Sequence, residues 1–399
     1  MVNRQQYNSP GLFMSDRERR NFATARQRAW IEIDLAALGH NVRQLKKFIA
    51  PQTQLMAVVK ADAYGHGAIA VAKTALDNGA TALAIATLAE GVELRRAGIE
   101  APILILGAIS APEDIKAVAA WQLEPTICNC EQAAVFNKTM EQLGETLLVH
   151  LKIDTGMSRL GTNWQEAAEF ASSVDSFANL NIKSIYSHFA TADDPDPTTM
   201  NLQHERFRRA IEQIKARNIV PSQIHLANSA ATLCDRSCHY DLVRVGLALY
   251  GLYPAPHLQS ILTLKSALQV KAKITQVKKI AAGTGVSYGH RFISDRDMTI
   301  AVVGIGYADG VPRNLSNRLQ VIVRGKLVPQ IGAITMDQMM LNVDGLEDLR
   351  SGEIVTLIGS DNNLTITPDD WANSLNTISW EILCGFKHRL PRAIEQSSN

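Results

Sequence analysis

The stretch Leu55–Ala70, LMAVVKADAYGHGAIA, runs from an apolar, strand-like segment into a single lysine, Lys60, and then into a turn that carries Tyr64, Gly65, His66 and Gly67. The surrounding pattern shows which kind of sheet such a strand belongs to. From Leu55 to Tyr250, short apolar runs recur with amphipathic segments between them, the alternation that builds parallel strands joined by crossover helices. Eight runs are read as strands: LMAVVK, ALAIAT, ILILG, LEPTI, LLVHLKID, IKSIYSHF, QIHLAN and LVRVG. Segments such as Ala89–Gly98 and Asn201–Asn218 place apolar residues at helical spacing. Eight strand–helix units predict an α/β fold closed into an eight-stranded (β/α)8 TIM-like barrel.

After Gly251–Pro256 the texture changes to β-rich segments with Gly and Asp turns between them, which predicts a mostly β C-terminal domain. Thr367 is placed to cap a late helix. The expected division is a flexible N-terminal extension over 1–29, the α/β barrel over 30–262, and the C-terminal β domain over 263–399.

A chain of 399 residues can bury two cores without a metal or disulfide staple. Forty Lys+Arg against 39 Asp+Glu leave a net charge of +1, so bulk electrostatics point neither to nucleic acid nor to an anionic membrane. A small-molecule partner is expected. The 5 cysteines, Cys128, Cys130, Cys234, Cys238 and Cys384, have no paired CxxC spacing. Neither a zinc ribbon nor a disulfide framework is expected, and the compartment is read as reducing and cytoplasmic. The first thirty residues are polar and Arg-rich, with no signal-peptide-like apolar stretch. They are read as a solvated tail, with a targeting segment or nucleic-acid arm as the alternatives. No later run reaches the roughly 20 apolar residues of a membrane helix.

In such a barrel, chemistry gathers at the C-terminal ends of the strands. That rule selects Lys60, then Lys152, Asp154 and Arg159, then His188, then His225, Asn228 and Ser229, and last Arg244. A lysine held in apolar surroundings favours its neutral, imine-forming amine, although a strand-end lysine also commonly snorkels to water. Gly246 permits close backbone approach and Ser229 stands near a helix start; together they suit a phosphate, singly they also suit packing and capping. An aldehyde bearing a phosphate is pyridoxal phosphate. A rival reading makes His188, His225 and Asp154 ligands of a metal-dependent hydrolase, but leaves Lys60 and Tyr64 without a task and has no His-x-His pair.

Taken in order, VVKADAYGHG, LKIDTGMSRLG, SHFATAD, HLANSAAT, VRVGLALYG, GTGVSYGH, GYADGVPR and TMDQMM resemble the alanine racemases over nearly all of the chain after Trp30. The resemblance implies a barrel that binds pyridoxal 5'-phosphate, a C-terminal β domain, a homodimer with shared sites and no metal. It implies that Lys60 holds the cofactor as an imine and acts as one acid/base, with Tyr64, Ser229, Gly246 and Leu247 around the phosphate. His188 would lie against the pyridine ring, Arg244 would face its nitrogen, and Asn228 falls in the matching motif. Tyr288 would be the second base, supplied by the partner subunit; taken alone, it reads rather as packing or turn chemistry. Arg159 and the backbone of Met336 would hold the substrate carboxylate. Lys152 matches a family lysine that can be carbamylated; the alternative is an unmodified lysine paired with an acid. Tyr307 and Asp337 would narrow the substrate entrance.

Three positions depart from the family pattern. Trp380 stands where a phosphate-donating tyrosine is common, Thr335 where cysteine is common, and Ser158 where glycine is common beside Arg159. The expected activity is interconversion of L- and D-alanine, with D-alanine supplied to peptidoglycan. The alternatives are a broader amino-acid racemase, a pyridoxal-phosphate decarboxylase and a non-catalytic cofactor-carrying barrel.

Overall fold

The computed structural model describes residues 28–395, which fall into two compact units. One unit is Asp34–Ala267, and the described part of the other is 28–33 with 268–395.

The first unit is the barrel. Its strands are Gln54–Val58, Ala82–Ile85, Ile103–Ala108, Glu124–Ile127, Leu147–Asp154, Leu180–Tyr186, Gln223–His225 and Leu242–Val245, one for each of the eight apolar runs. All neighbouring pairs are parallel, and the eighth strand lies beside the first. The seventh and eighth strands meet through Asp241 N donating to Ile224 O (3.1 Å) and Arg244 N donating to Ala227 O (3.0 Å), which brings the sheet nearly to closure. Helices cover the outside, including Leu88–Arg96, with a Thr87–Glu90 capping box, and Thr198–Lys215. No helix among the described residues is long and apolar enough to cross a membrane.

In the second unit, the strands Ile354–Asp361, Gln320–Val323, Lys326–Ile331, Met339–Asn342, Met298–Val303 and Leu268–Ile280 pair in a closed circuit. Thr367 caps the helix Pro368–Leu375 and forms a capping box with Asp370.

The sequence boundary at residue 30 differs from the observed one. The strand Ala29–Asp34 pairs antiparallel with Leu268–Ile280, so it extends the β unit's sheet and is no barrel strand. It is not among the eight runs read as barrel strands from sequence. Most of the 1–29 extension lies outside the described residues, but Arg28 is fixed: its guanidinium donates to both oxygens of the buried Asp309 at 2.8 and 2.7 Å.

Candidate active site

Immediately after the first barrel strand the backbone enters a rare conformation. Ala61, Asp62, Ala63 and Tyr64 all have φ between 52 and 54°, a left-handed helical turn built without glycine. Each such residue costs on the order of 1–2 kcal/mol. Polar groups hold the turn. Glu90 accepts from Ala61 N (2.7 Å), Asp62 accepts from Ala68 N (2.8 Å), and His66 Nδ1–H is shared between Ala63 O and Tyr64 O at 3.0 Å each. The buried His66 ring lies 4.4 Å from that of Tyr250, whose hydroxyl donates to Val58 O (2.8 Å).

The turn carries the Tyr64 phenol to the start of the segment after strand eight. A Cβ placed on Gly246 would stand 2.7 Å from the Tyr64 hydroxyl, so the contact requires glycine. Ser229 begins the helix Ser229–Cys234, and Asn228 caps that helix by accepting from Ala231 N (3.0 Å). Ser229 Oγ accepts from Gly246 N (2.9 Å) and Ala248 N (3.5 Å), which leaves its own proton free to donate elsewhere. Tyr64, Asn228, Ser229, Gly246 and Leu247 thus converge around one patch.

Arg244 is buried beside it. Nη1 donates to His225 Nδ1 (2.9 Å), while Nη2 donates to Ser187 O (2.7 Å) and Leu226 O (3.0 Å) and lies 3.3 Å from His188 Nδ1. From His225 a chain of donors runs through the barrel core. His225 Nε2–H donates to Ser184 Oγ (2.8 Å), Ser184 O–H to His150 Nδ1 (2.6 Å), and His150 Nε2–H to Glu124 (2.9 Å), whose other oxygen pairs with Lys183 at 2.6 Å. Every link then points the same way. Burial lowers the pKa of both His150 and His225, and Arg244 opposes charge on His225 further. Both rings are therefore neutral, each with one defined donor nitrogen.

The cations of the mouth lean on one tyrosine. The Tyr186 ring stacks on His225 at 4.8 Å, with Lys152 Nζ 4.9 Å and the Arg244 guanidinium 5.1 Å from its centre. Burial lowers Lys152 to about 8, helped by the charges of Arg244, Arg159 and Lys60, with Cys128 opposing. An acidic partner for Lys152, one of the sequence expectations, is thus replaced by a cluster of positive groups. Burial likewise drives His188 well below its ordinary value, with Arg244 and Lys152 adding to the effect. Arg159 follows strand five on an exposed loop; beside it Ser158 takes a φ of +54°. Asp154, the carboxylate of the metal reading, accepts from Gly156, Met157 and Ser158 N at 2.9–3.1 Å, while His225 of that reading faces a guanidinium.

The remaining expected residues lie in the β unit. Tyr288 sits between the strand pair Gly285–Val286 and Phe292–Ile293 and is 72% exposed. Its neighbour Ser287 donates to Ala333 O (2.7 Å), and the Tyr307 turn binds the same loop through Tyr307 N to Thr335 O (2.9 Å) and Ala308 N to Met336 O (3.0 Å). Tyr288, Tyr307 and Met336, all exposed, are therefore carried by segments tied to one loop. Asp309 pins the Tyr307 turn by accepting from Gly306 N (2.9 Å), and Arg389 bonds Asp337. Trp380 is half-buried on the helix Ser379–Gly385.

Sequence reasoning missed the chain from His225 to Lys183, and with it Tyr186, Glu90 and Arg28. A usable signal was present on the strands: Glu124 and Thr126, His150 and Lys152, and Ser184 and Tyr186 are polar pairs at the period-two spacing that points both residues to one face.

The family description "Alanine racemase, N-terminal domain" matches residues 33–254, and "Alanine racemase, C-terminal domain" matches 267–394. The chain belongs to the alanine racemase family. The alanine racemase of Nostoc sp. is 63% identical over 373 residues, covering 93% of this chain and 97% of its own. That of Synechocystis sp. is 62% identical over 369 residues, covering 92% and 99%. The crystal structure of alanine racemase from Bacillus anthracis with bound L-Ala-P superposes with a TM-score of 0.89 at 37% identity, covering 94% of this chain and 96% of that one. The activity that comes with membership is racemisation of alanine, and the chain is an enzyme, an isomerase.

Proposed function

We propose that the chain binds pyridoxal 5'-phosphate at the barrel mouth and interconverts L- and D-alanine by two-base transfer of the α-proton. We place it in the cytoplasm as a homodimer with shared sites, supplying D-alanine for peptidoglycan. A small-molecule substrate is supported by the B. anthracis racemase with bound L-Ala-P and by the Clostridium difficile enzyme in complex with cycloserine.

The residues fit the cofactor. Tyr64 and Ser229 offer hydroxyl donors next to a position where only glycine fits, Gly246, with Leu247 following, and this neutral donor set suits a phosphate. Lys60, at the end of strand one, supplies the amine. When bound, the cofactor supplies an aldehyde carbon to hold the amino group and a ring that acidifies the α-carbon.

The observation that carries the reading is Arg244. Burial lowers it to about 10, so it is still a cation at neutral pH, and its partners are a neutral imidazole and backbone carbonyls. A guanidinium donates and does not accept. By family likeness it would face the ring nitrogen of the bound cofactor and would hold that nitrogen unprotonated. The ring would then be a weaker electron sink, which would favour return of the proton to the α-carbon, and so racemisation over transamination. His188, held neutral, adds no charge against the ring.

Lys60 Nζ moves the proton on one face and Tyr288 Oη of the partner subunit on the other, because one fixed base cannot serve both. Arg159, with the backbone of Met336 of the partner subunit, orients the substrate carboxylate. Lys152, with an ordinary value of 10.5 lowered to about 8, has on the order of 300 times more free amine at neutral pH than an unperturbed lysine. Carbamylation would replace a buried positive charge by a negative one among Arg159, Arg244 and Lys60. Tyr307 and Asp337 narrow the entrance, and Asn228 fixes the helix that presents Ser229. Trp380 stands where the family commonly has a phosphate-donating tyrosine, and an indole N–H would reach a different point from a phenol.

The test is chiral analysis of the purified protein incubated with L-alanine, with L-serine and with larger or basic amino acids. D-alanine is the expected product. D-serine at a comparable rate would make the enzyme a broader racemase, and no D-product from any substrate would overturn the reading.

A further inference from the structure

Away from the mouth, three side chains with metal-ligating atoms meet on the helical side of the barrel. His204 comes from the helix Thr198–Lys215, and Asp235 and Cys238 come from the turn that follows Ser229–Cys234. Their ligating atoms all lie within 4.8 Å of one another. Cys238 Sγ lies 3.5 Å from His204 Nδ1 and 3.5 Å from Asp235 Oδ2. Zinc bonds of about 2.3 Å to sulfur and about 2.0–2.2 Å to nitrogen or oxygen, at tetrahedral angles, set the ligand atoms about 3.5 Å apart.

The surroundings prepare these atoms. The Tyr240 hydroxyl lies 2.9 Å from His204 Nε2, so an Nε2–H donating there leaves the Nδ1 lone pair facing the sulfur, the arrangement a metal-bound imidazole requires. Asp235 accepts from Ser237 N and Oγ, both at 2.8 Å, which fixes its carboxylate. A thiolate and a carboxylate neutralise a divalent cation, and this suits a site where Cys238 is buried. Burial, with Asp235 next, otherwise pushes the thiol far up, so Cys238 is inert as a nucleophile.

We propose that His204, Asp235 and Cys238 form a zinc site that ties the helix Thr198–Lys215 to the far end of the helix bearing Ser229. The spacing along the chain hides it, because only Asp235 and Cys238 are neighbours in sequence. The site takes no part in proton transfer; it clamps from behind the helix that presents Ser229.

The test uses the cofactor-loaded enzyme, dialysed against micromolar free zinc, with metal counted by atomic emission. One zinc per chain is expected in the parent and in Cys130→Ala, and its loss in Cys238→Ala and His204→Gln. Cobalt(II) in its place should show thiolate-to-metal charge-transfer absorption that Cys238→Ala lacks. A parent that holds no stoichiometric zinc overturns the proposal, as does equal zinc in the two ligand variants, which would mark adventitious metal. Should the ligand variants not fold, Tyr240→Phe keeps all three ligands and should weaken zinc about 10- to 100-fold; unchanged affinity would also overturn it.

Discussion

Gly246→Ala isolates the contact on which the proposed phosphate cup depends. The added Cβ would lie 2.7 Å from Tyr64 Oη, against the 3.4 Å or more of ordinary contact, so one group must move by about 0.7 Å. Tyr64 has little freedom to yield: its ring is 5.0 Å from that of Tyr250, and its backbone ends the left-handed turn. Overpacking of this kind costs about 1–3 kcal/mol. If the phenol swings away, a hydrogen bond to a charged phosphate is lost instead, at about 1.5–3 kcal/mol. Cofactor affinity should therefore fall about 5- to 150-fold, read by absorbance titration of the cofactor-free protein. The decisive arm is a double-mutant cycle with Tyr64→Phe. Removing the hydroxyl leaves ring atoms at 3.2 and 3.4 Å from the new Cβ, so Gly246→Ala should cost much less in that background. A coupling of at least about 1 kcal/mol is expected. Strictly additive losses would refute the reasoning.

Four further outcomes follow from the same geometry. Lys60→Ala should abolish both the visible absorption of the bound cofactor and the borohydride-fixed adduct; a variant retaining both would remove Lys60 from its role. Tyr288→Phe should leave the cofactor bound but slow α-proton exchange from L-alanine by about 100-fold or more, and unchanged exchange, followed by NMR in deuterium oxide, would reject the two-base account. In bicarbonate-free buffer Lys152, lowered from 10.5 to about 8, favours the fold more as its charge is lost, so stability against urea should rise between those pH values. Lys152→Met should abolish that rise, and labelled bicarbonate should add a carbamate carbon signal to the parent alone. Glu124→Gln removes the charge that ends the donor chain beside Lys183 and His150, and should lower stability by about 1–3 kcal/mol; no change in the urea midpoint would show that the chain is idle.

The barrel was legible because its strands are short, mostly apolar runs punctuated by amphipathic helices. Position at a strand end then selected Lys60, Arg159 and Arg244 without knowledge of their contacts. What escaped was whatever depends on partners distant in sequence. Residues 30–33 fall inside the span expected for the barrel, yet pairing with Leu268–Ile280 assigns them to the β unit. The donor chain spans Glu124 to Arg244 through residues that individually resemble misplaced polar groups in a core. A buried histidine carries no mark in sequence of what it bonds; only the strand register brings His150, Ser184 and His225 into line.

His66 shows how far such local reasoning reaches. From sequence it could only be assigned to a turn, because nothing in Tyr-Gly-His-Gly discloses the handedness of that turn. Four non-glycine residues in the left-handed region imply roughly 4–8 kcal/mol of backbone strain, a burden that persists only where the surroundings over-determine it. The groups that do so come from three directions: Glu90 from the helix Leu88–Arg96, Asp62 from the turn itself, and His66 through a proton shared between two carbonyls. Glycine at 61–64 would relieve the strain but would also free the chain to choose other turns. The strain commits the backbone to one path between an amine at the end of strand one and a phenol beside Gly246, the two groups proposed to hold a phosphorylated aldehyde.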